Sequence, residues 1–177
     1  WQPPANERRA ARGWGDKEIV RNCMLHDANG DPVVEIRNTA WGGPSVTFPM
    51  NPNPRVFENR ERPTIGRTLL DYVAALHDEL PALDGIYVDS LGLWGDFVNF
   101  RREHFAAERI PLTYDGMSGR PVIDNRFSLL AFLRDLGDLL HSRGRILFAK
   151  GLHPDRRFHF FAVDVLGVEG HGRLEQK

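Results

Sequence analysis

Two carboxylates, Asp89 and Glu169, stand at the ends of apolar runs in segments that echo each other, "LDGIYVDSLG" (83–92) and "VDVLGVEGHG" (163–172). Each segment reads apolar, Asp, a short apolar or glycine stretch, Val, carboxylate, then two residues and a glycine. Side chains alternate across a strand, so Gly85, Tyr87 and Asp89 share one face, and Val165, Gly167 and Glu169 share the matching one. An acid directly after a buried strand is costly unless it is paired or used. With one strand, "RILFAKG", between them, the two backbones start roughly 10 Å apart. Inward-leaning carboxyl groups then fall in the window of about 5–10 Å used for two-carboxylate cleavage of glycosides. Asp84 and Asp164, which precede the same runs, are expected to be turn residues.

Such chemistry needs one carboxylate ionised beside a developing oxocarbenium ion and one carboxyl that keeps its proton near neutral pH. Lys150, at the end of the intervening strand, could hold Asp89 ionised, or could be a surface lysine. Aromatic faces suit the apolar C–H side of a pyranose, and Trp41, Tyr87 and Trp94 are candidates, Trp94 standing five residues past Asp89. Phe97 and Phe100 are expected to pack their own loop. Asn51 in "NPNP" could bond substrate hydroxyls or cap a turn, as could Asn53, and His153 is a further substrate-binding candidate.

Two other classes remain. His153, Asp155, His159, Glu169 and His171 could ligate a metal in a metal-dependent hydrolase, but their spacing matches no known ligand pattern, and His159 among aromatics reads as a packed residue. A non-catalytic carbohydrate-binding barrel would keep Trp94 and its loop and need neither carboxylate. No metal site or cofactor is expected.

The elements that would position these groups are as follows. "KEIVRNCML" and "PVVEIRNTA" flank Asn29-Gly30, which predicts a β-hairpin over 17–39. A short strand from Ser45 ends at prolines. Apolar residues from Ile65 to Leu80 recur at three- and four-residue spacing and predict a helix ending at Pro81. A strand from Gly85 to Leu91, a long connection to about Asp124, and a second amphipathic helix closed by Arg143-Gly144 follow. The strand "RILFAKG", a short linker and "VDVLGVEG" complete the order.

Alternating strands and helices from Ser45 to Gly170 predict βα units with a parallel sheet. Asn51, Asp89, Lys150 and Glu169 all fall at strand C-terminal ends, and no Gly-rich phosphate loop follows a strand, which favours a (β/α)8 TIM barrel over a doubly wound sheet. A closed barrel needs roughly 250 residues and eight strands. The expectation is therefore an α/β chain forming about four βα units of a TIM barrel, preceded by a β-hairpin, and lying in the middle of a larger catalytic domain. Residues 1–40 form the N-terminal segment and hairpin, and residues 41–177 the partial barrel. On its own, this piece is expected to be inactive, with exposed sheet edges.

The totals agree with that reading. Among 177 residues, 24 acidic and 23 basic side chains nearly cancel, so no whole-chain field favours nucleic acid or an anionic membrane. Apolar residues make up 41%, with no run near the roughly 20 residues of a spanning helix. One cysteine, Cys23, excludes an internal disulfide but fixes no compartment. The expected partner is a carbohydrate substrate, and composition fixes neither localisation nor oligomeric state.

At "DGIYVDS" the chain resembles the strand-end motif of retaining glycosidases of the α-galactosidase, α-glucosidase and endo-α-N-acetylgalactosaminidase type. "DGIYVDSLGLWGD", "HPDRRFHFF" and "DVLGVEG" also resemble segments of uncharacterised bacterial glycosidase-like proteins. The resemblance covers roughly residues 41–172. It implies a barrel glycosidase with Asp89 as nucleophile and Glu169 as general acid/base. Where the α-galactosidase and α-glucosidase group has an Asp as second carboxylate, this chain offers Glu169.

Overall fold

The computed structural model describes residues 16–39, 43–91, 98–109, 111–151 and 154–167. The first element, α1 (Lys17–Cys23), is a helix, capped by Asp16, whose carboxylate accepts the Glu18 N–H at 2.7 Å. The hairpin expected over 17–39 is therefore not formed. Ile19 and Cys23, one turn apart, are buried against Val56, Phe57 and Ile65, so packing of a helical face overrides the β-branched local sequence. The Asn29-Gly30 turn does form: Asp27 accepts the N–H groups of Asn29 and Asp31, and Gly30 has φ 90°. Its flanks meet only in a single bridge, His26 to Pro32.

A hairpin lies further along, β1 (Glu35–Thr39) pairing antiparallel with β2 (Gly43–Thr47). The strand expected from Ser45 thus belongs to a two-stranded ribbon, with Ile36 and Val46 exposed, and not to the parallel sheet. Prolines 49, 52 and 54 follow at once and have no N–H to offer a central ladder.

From Thr64 onward the βα order is regular. Helix α2 (Ile65–Glu79) is capped by Thr64, whose hydroxyl accepts the Arg67 N–H at 3.3 Å. Strand β3 (Gly85–Val88) follows. The long connection builds a small antiparallel sheet from β4 (Val98–Asn99), β5 (Thr113–Tyr114) and β6 (Pro121–Asp124), in the order β4-β6-β5. A 3-10 segment, Arg102–Ala107, lies within it. Helix α3 (Asn125–His141) starts on the Asp124 carboxylate and ends at Gly144 (φ 67°). Strand β7 (Ile146–Lys150), a 3-10 segment Pro154–Ala162 and β8 (Val165–Gly167) complete the described chain.

Strands β3, β7 and β8 form a parallel sheet with β7 in the middle. Among the described residues this sheet is open, with three strands. Its register aligns three rows: Gly85 with Ile146; Tyr87 with Phe148 and Val165; and Lys150 with Gly167, level with Asp89 just past β3. The other face carries Ile86, Val88, Leu147 and Ala149, packed on Val73 of α2 and Leu129, Phe132, Leu133, Leu136 and Leu140 of α3. One face of the sheet is thus core, and the other, with Tyr87, Ile146 and Val165 each more than 40% exposed, faces away from the helices. Asp164 ties the entrances of β7 and β8 together, accepting the Leu147 N–H at 2.7 Å and facing His141 at 2.9 Å; these two contacts hold its carboxyl below the usual range. At the start of β3, the Asp84 carbonyl accepts the Ile146 N–H.

Candidate functional site

Asp89 follows β3 at its C-terminal end, on the face away from the helices. Its Oδ1 is the meeting point of three donors: the Ser90 backbone N–H at 2.7 Å, the Tyr87 hydroxyl at 3.4 Å and Lys150 Nζ at 3.6 Å. Lys150 reaches it because β7 runs beside β3 in parallel register, so both strands end at the same level. The Asp89 side chain is 58% exposed and that of Lys150 26%. An ion pair so open to water contributes about 0–1 kcal/mol.

Below this row lies an aromatic one. The rings of Tyr87 and Phe148 are 4.9 Å apart and tilted. Phe148 leans over β8, where a Cβ on Gly167 would lie 2.8 Å from its ring, so a larger residue there would require the ring to shift. The backbone beside Asp89 is strained. Ser90 has φ 55°, the only positive φ on a non-glycine side chain among the described residues. Left-handed backbone costs such a residue about 1–2 kcal/mol. What enforces it is the next residue: Leu91 is buried in the core and donates its N–H to the Lys150 carbonyl at 2.9 Å. Gly151 (φ 84°) lets the two chains cross, since a Cβ there would lie 3.2 Å from Ser90 Cα.

Asn51 sits elsewhere, fully buried. Its Oδ1 accepts the Asn53 N–H at 2.9 Å and its Nδ2 faces Glu108 Oε1 at 3.4 Å, so it takes the turn-capping role of its two expectations. Asn53 Nδ2 and the Ser128 hydroxyl donate to the same Glu108 oxygen, at 3.3 and 2.8 Å. This bracket ties the 51–53 loop and the first turn of α3 to the long connection. His159 is fully buried, with Nε2 2.9 Å from the Arg126 carbonyl and its ring 4.4 Å from that of Phe158. A nitrogen bound to a carbonyl carries the proton, so Nε2 is the protonated nitrogen of this ring. Among the described residues no group of three His, Cys, Asp or Glu side chains could hold a metal ion. Cys23 is buried under the Ile65 N–H, and burial pushes its thiol up, away from the thiolate a nucleophile requires.

Trp41, Trp94, Phe97, His153, Glu169 and His171 lie outside the described residues, and Asp155 has no described side chain. The structure thus brings together Asp89, Tyr87 and Lys150, and sets Asn51 apart in the Glu108 bracket. Phe148, Ser90, Gly151 and Glu108 also shape these two clusters, although the sequence did not single them out. A glycine ending a strand was a visible signal for Gly151, but Ser90 and Glu108 carry none, since their roles arise from partners far away in the chain. Comparison with known proteins finds no match for this chain among family descriptions, characterised proteins or solved structures.

Proposed function

We propose that the chain supplies the catalytic arc of a glycoside-cleaving barrel, with Asp89 as nucleophile and Glu169 as general acid/base. The observation that carries this reading is the row Asp89–Lys150 at the C-terminal ends of adjacent parallel strands, above the ring pair of exposed Tyr87 and half-buried Phe148. Strand C-terminal ends are where barrel enzymes place their chemistry. Lys150 sets a positive charge 3.6 Å from the Asp89 carboxylate. One row below Asp89, the ring pair would floor the cleft, above the packed layers of the barrel interior.

In the proposed reaction an Asp89 oxygen bonds to the anomeric carbon as the bond from that carbon to the leaving oxygen breaks. The leaving oxygen takes the Glu169 proton. Water then attacks the anomeric carbon, gives a proton to the Glu169 carboxylate and releases Asp89 as a carboxylate. The role of Glu169 rests on the sequence echo and the resemblance, since β8 is described to Gly167, two residues before it. Three parallel strands form an arc, and the reading includes further strands that close the barrel.

The test is hydrolysis of a panel of 4-nitrophenyl α- and β-glycosides by the full-length polypeptide that carries these residues. Asp89→Asn should lower cleavage of the accepted glycoside by at least about 10³-fold, and Glu169→Gln by about 10²–10⁴-fold. Undiminished cleavage by Asp89→Asn would sink the assignment. Glycan binding retained by Asp89→Asn, with no cleavage of any glycan by the parent, would favour the non-catalytic carbohydrate-binding alternative.

A further inference from the structure

We propose that the crossing of Ser90 and Gly151 is a positioning device: it holds the Asp89 carboxylate, through Oδ1, in the orientation from which it attacks the anomeric carbon. The inference rests on the reading of Asp89 as nucleophile and adds to it what aims the carboxylate.

Two hydrogen bonds, from the Ser90 N–H and the Tyr87 hydroxyl, and the Lys150 ion pair converge on Asp89 Oδ1. A carboxylate on an exposed strand end turns about χ1 and χ2 unless it is held. The shortest of the three contacts, 2.7 Å, comes from the N–H of Ser90; with β3 on one side and Leu91 on the other both held, the left-handed φ of Ser90 goes together with the orientation of the peptide that carries this N–H. That conformation is imposed from below, by Leu91 buried in the core and hydrogen-bonded to the Lys150 carbonyl. It is admitted from the side by Gly151, whose missing Cβ leaves room for Ser90 Cα. The same contact links the strand ends, since the carbonyl that holds Leu91 belongs to the lysine whose ammonium faces Oδ1.

A left-handed non-glycine residue that persists because its surroundings over-determine it, as the buried Leu91 does here, is the kind of feature found at working sites. Ser90 and Gly151 are positioning residues, since they act through Asp89 and hold no reacting atom.

The test compares substitutions at Ser90 and Gly151 in the full-length polypeptide on whichever 4-nitrophenyl glycoside it cleaves. Ser90→Val places a β-branched residue where φ is positive. It should lower kcat by about 10²-fold, the effect of misplacing a reacting group by about 1 Å, with KM within about twofold. Ser90→Asn, which tolerates left-handed backbone, should keep kcat within a few-fold of the parent. Gly151→Ala should behave like Ser90→Val. If both disruptive variants fail to fold, Tyr87→Phe, which removes an Oδ1 donor from an exposed side chain, should lower kcat while KM holds.

A merely structural corner would show lower thermal stability in Ser90→Val with kcat unchanged, and that result would overturn the positioning role. If Asp89→Asn is inactive while Ser90→Val, Gly151→Ala and Tyr87→Phe keep the parent kcat, the nucleophile stands and the positioning device falls. If Asp89→Asn cleaves normally, or the parent cleaves nothing, both fall.

Discussion

His104 has no exposed surface, and its ring nitrogens meet Asn99 Nδ2 at 3.0 Å and the Asn22 carbonyl at 2.8 Å. The carbonyl requires a proton on Nε2 and the amide a lone pair on Nδ1, so the neutral ring satisfies both. Burial, assisted by the Arg101 guanidinium, lowers its pKa from 6.5 to about 4 against the opposing pull of the Asn22 carbonyl and Glu103. Between those values the unfolded chain binds a proton that the folded chain does not, so stability falls as pH falls from about 6.5 to about 4. The gap corresponds to about 3 kcal/mol at its acid end. Urea unfolding at pH 7 and pH 5 should show a lower midpoint at pH 5. His104→Gln should flatten that difference, and an equal pH dependence in the variant would refute the assignment. His26, also lowered by burial, adds in the same direction. Nothing in the sequence around His104 announces this, because its partners lie on α1 and β4. Asp89 and Lys150, by contrast, were legible as polar residues ending apolar runs.

Helices α2 and α3 were legible because they are long enough, at 15 and 17 residues, for a 3.6-residue period to show, and because one face of each is buried. Helix α1 was not: seven residues span two turns, and its Ile-Val pair reads as strand until the pocket of Val56, Phe57 and Ile65 is known. The two-residue strands β4 and β5 are likewise products of tertiary pairing with β6. The end of α3 is a case where local chemistry sufficed. Gly144 (φ 67°) turns the chain so that its own N–H meets the His141 carbonyl and the Arg145 N–H meets the Leu140 carbonyl, which directs β7 into the sheet. No atom stands within 4 Å of a Cβ built there, so substitution tests conformation alone. Gly144→Ala should destabilise the chain by about 1–2 kcal/mol, read as a lower thermal midpoint, and Gly144→Asn by less. An unchanged midpoint for Gly144→Ala would show that the turn relaxes.

For the molecule as a whole, the two faces of the parallel sheet set the main tension. One is buried under α2 and α3, while the other shows Tyr87 at 48% and Val165 at 43% exposure, in register beside Phe148, and Ile146 at 47% one row below. Among the described residues β3 and β8 are also the sheet's edges, so apolar surface and unpaired backbone are offered together. In the proposed barrel this face is the interior, which side chains fill in layers drawn from alternate strands. Residues 1–177 alone should therefore bind the dye 8-anilinonaphthalene-1-sulfonate strongly and self-associate as concentration rises. Ile146→Lys with Val165→Lys places two charges on that face without touching the helix-covered side. The pair should reduce both dye binding and self-association while leaving the thermal midpoint within a few degrees. A longer polypeptide that supplies the further strands of the proposed barrel should bind little dye at this face, because those strands would cover it. Equal dye binding by the parent chain and the double-lysine variant would place the exposed apolar surface elsewhere and remove this support for an arc of a larger barrel.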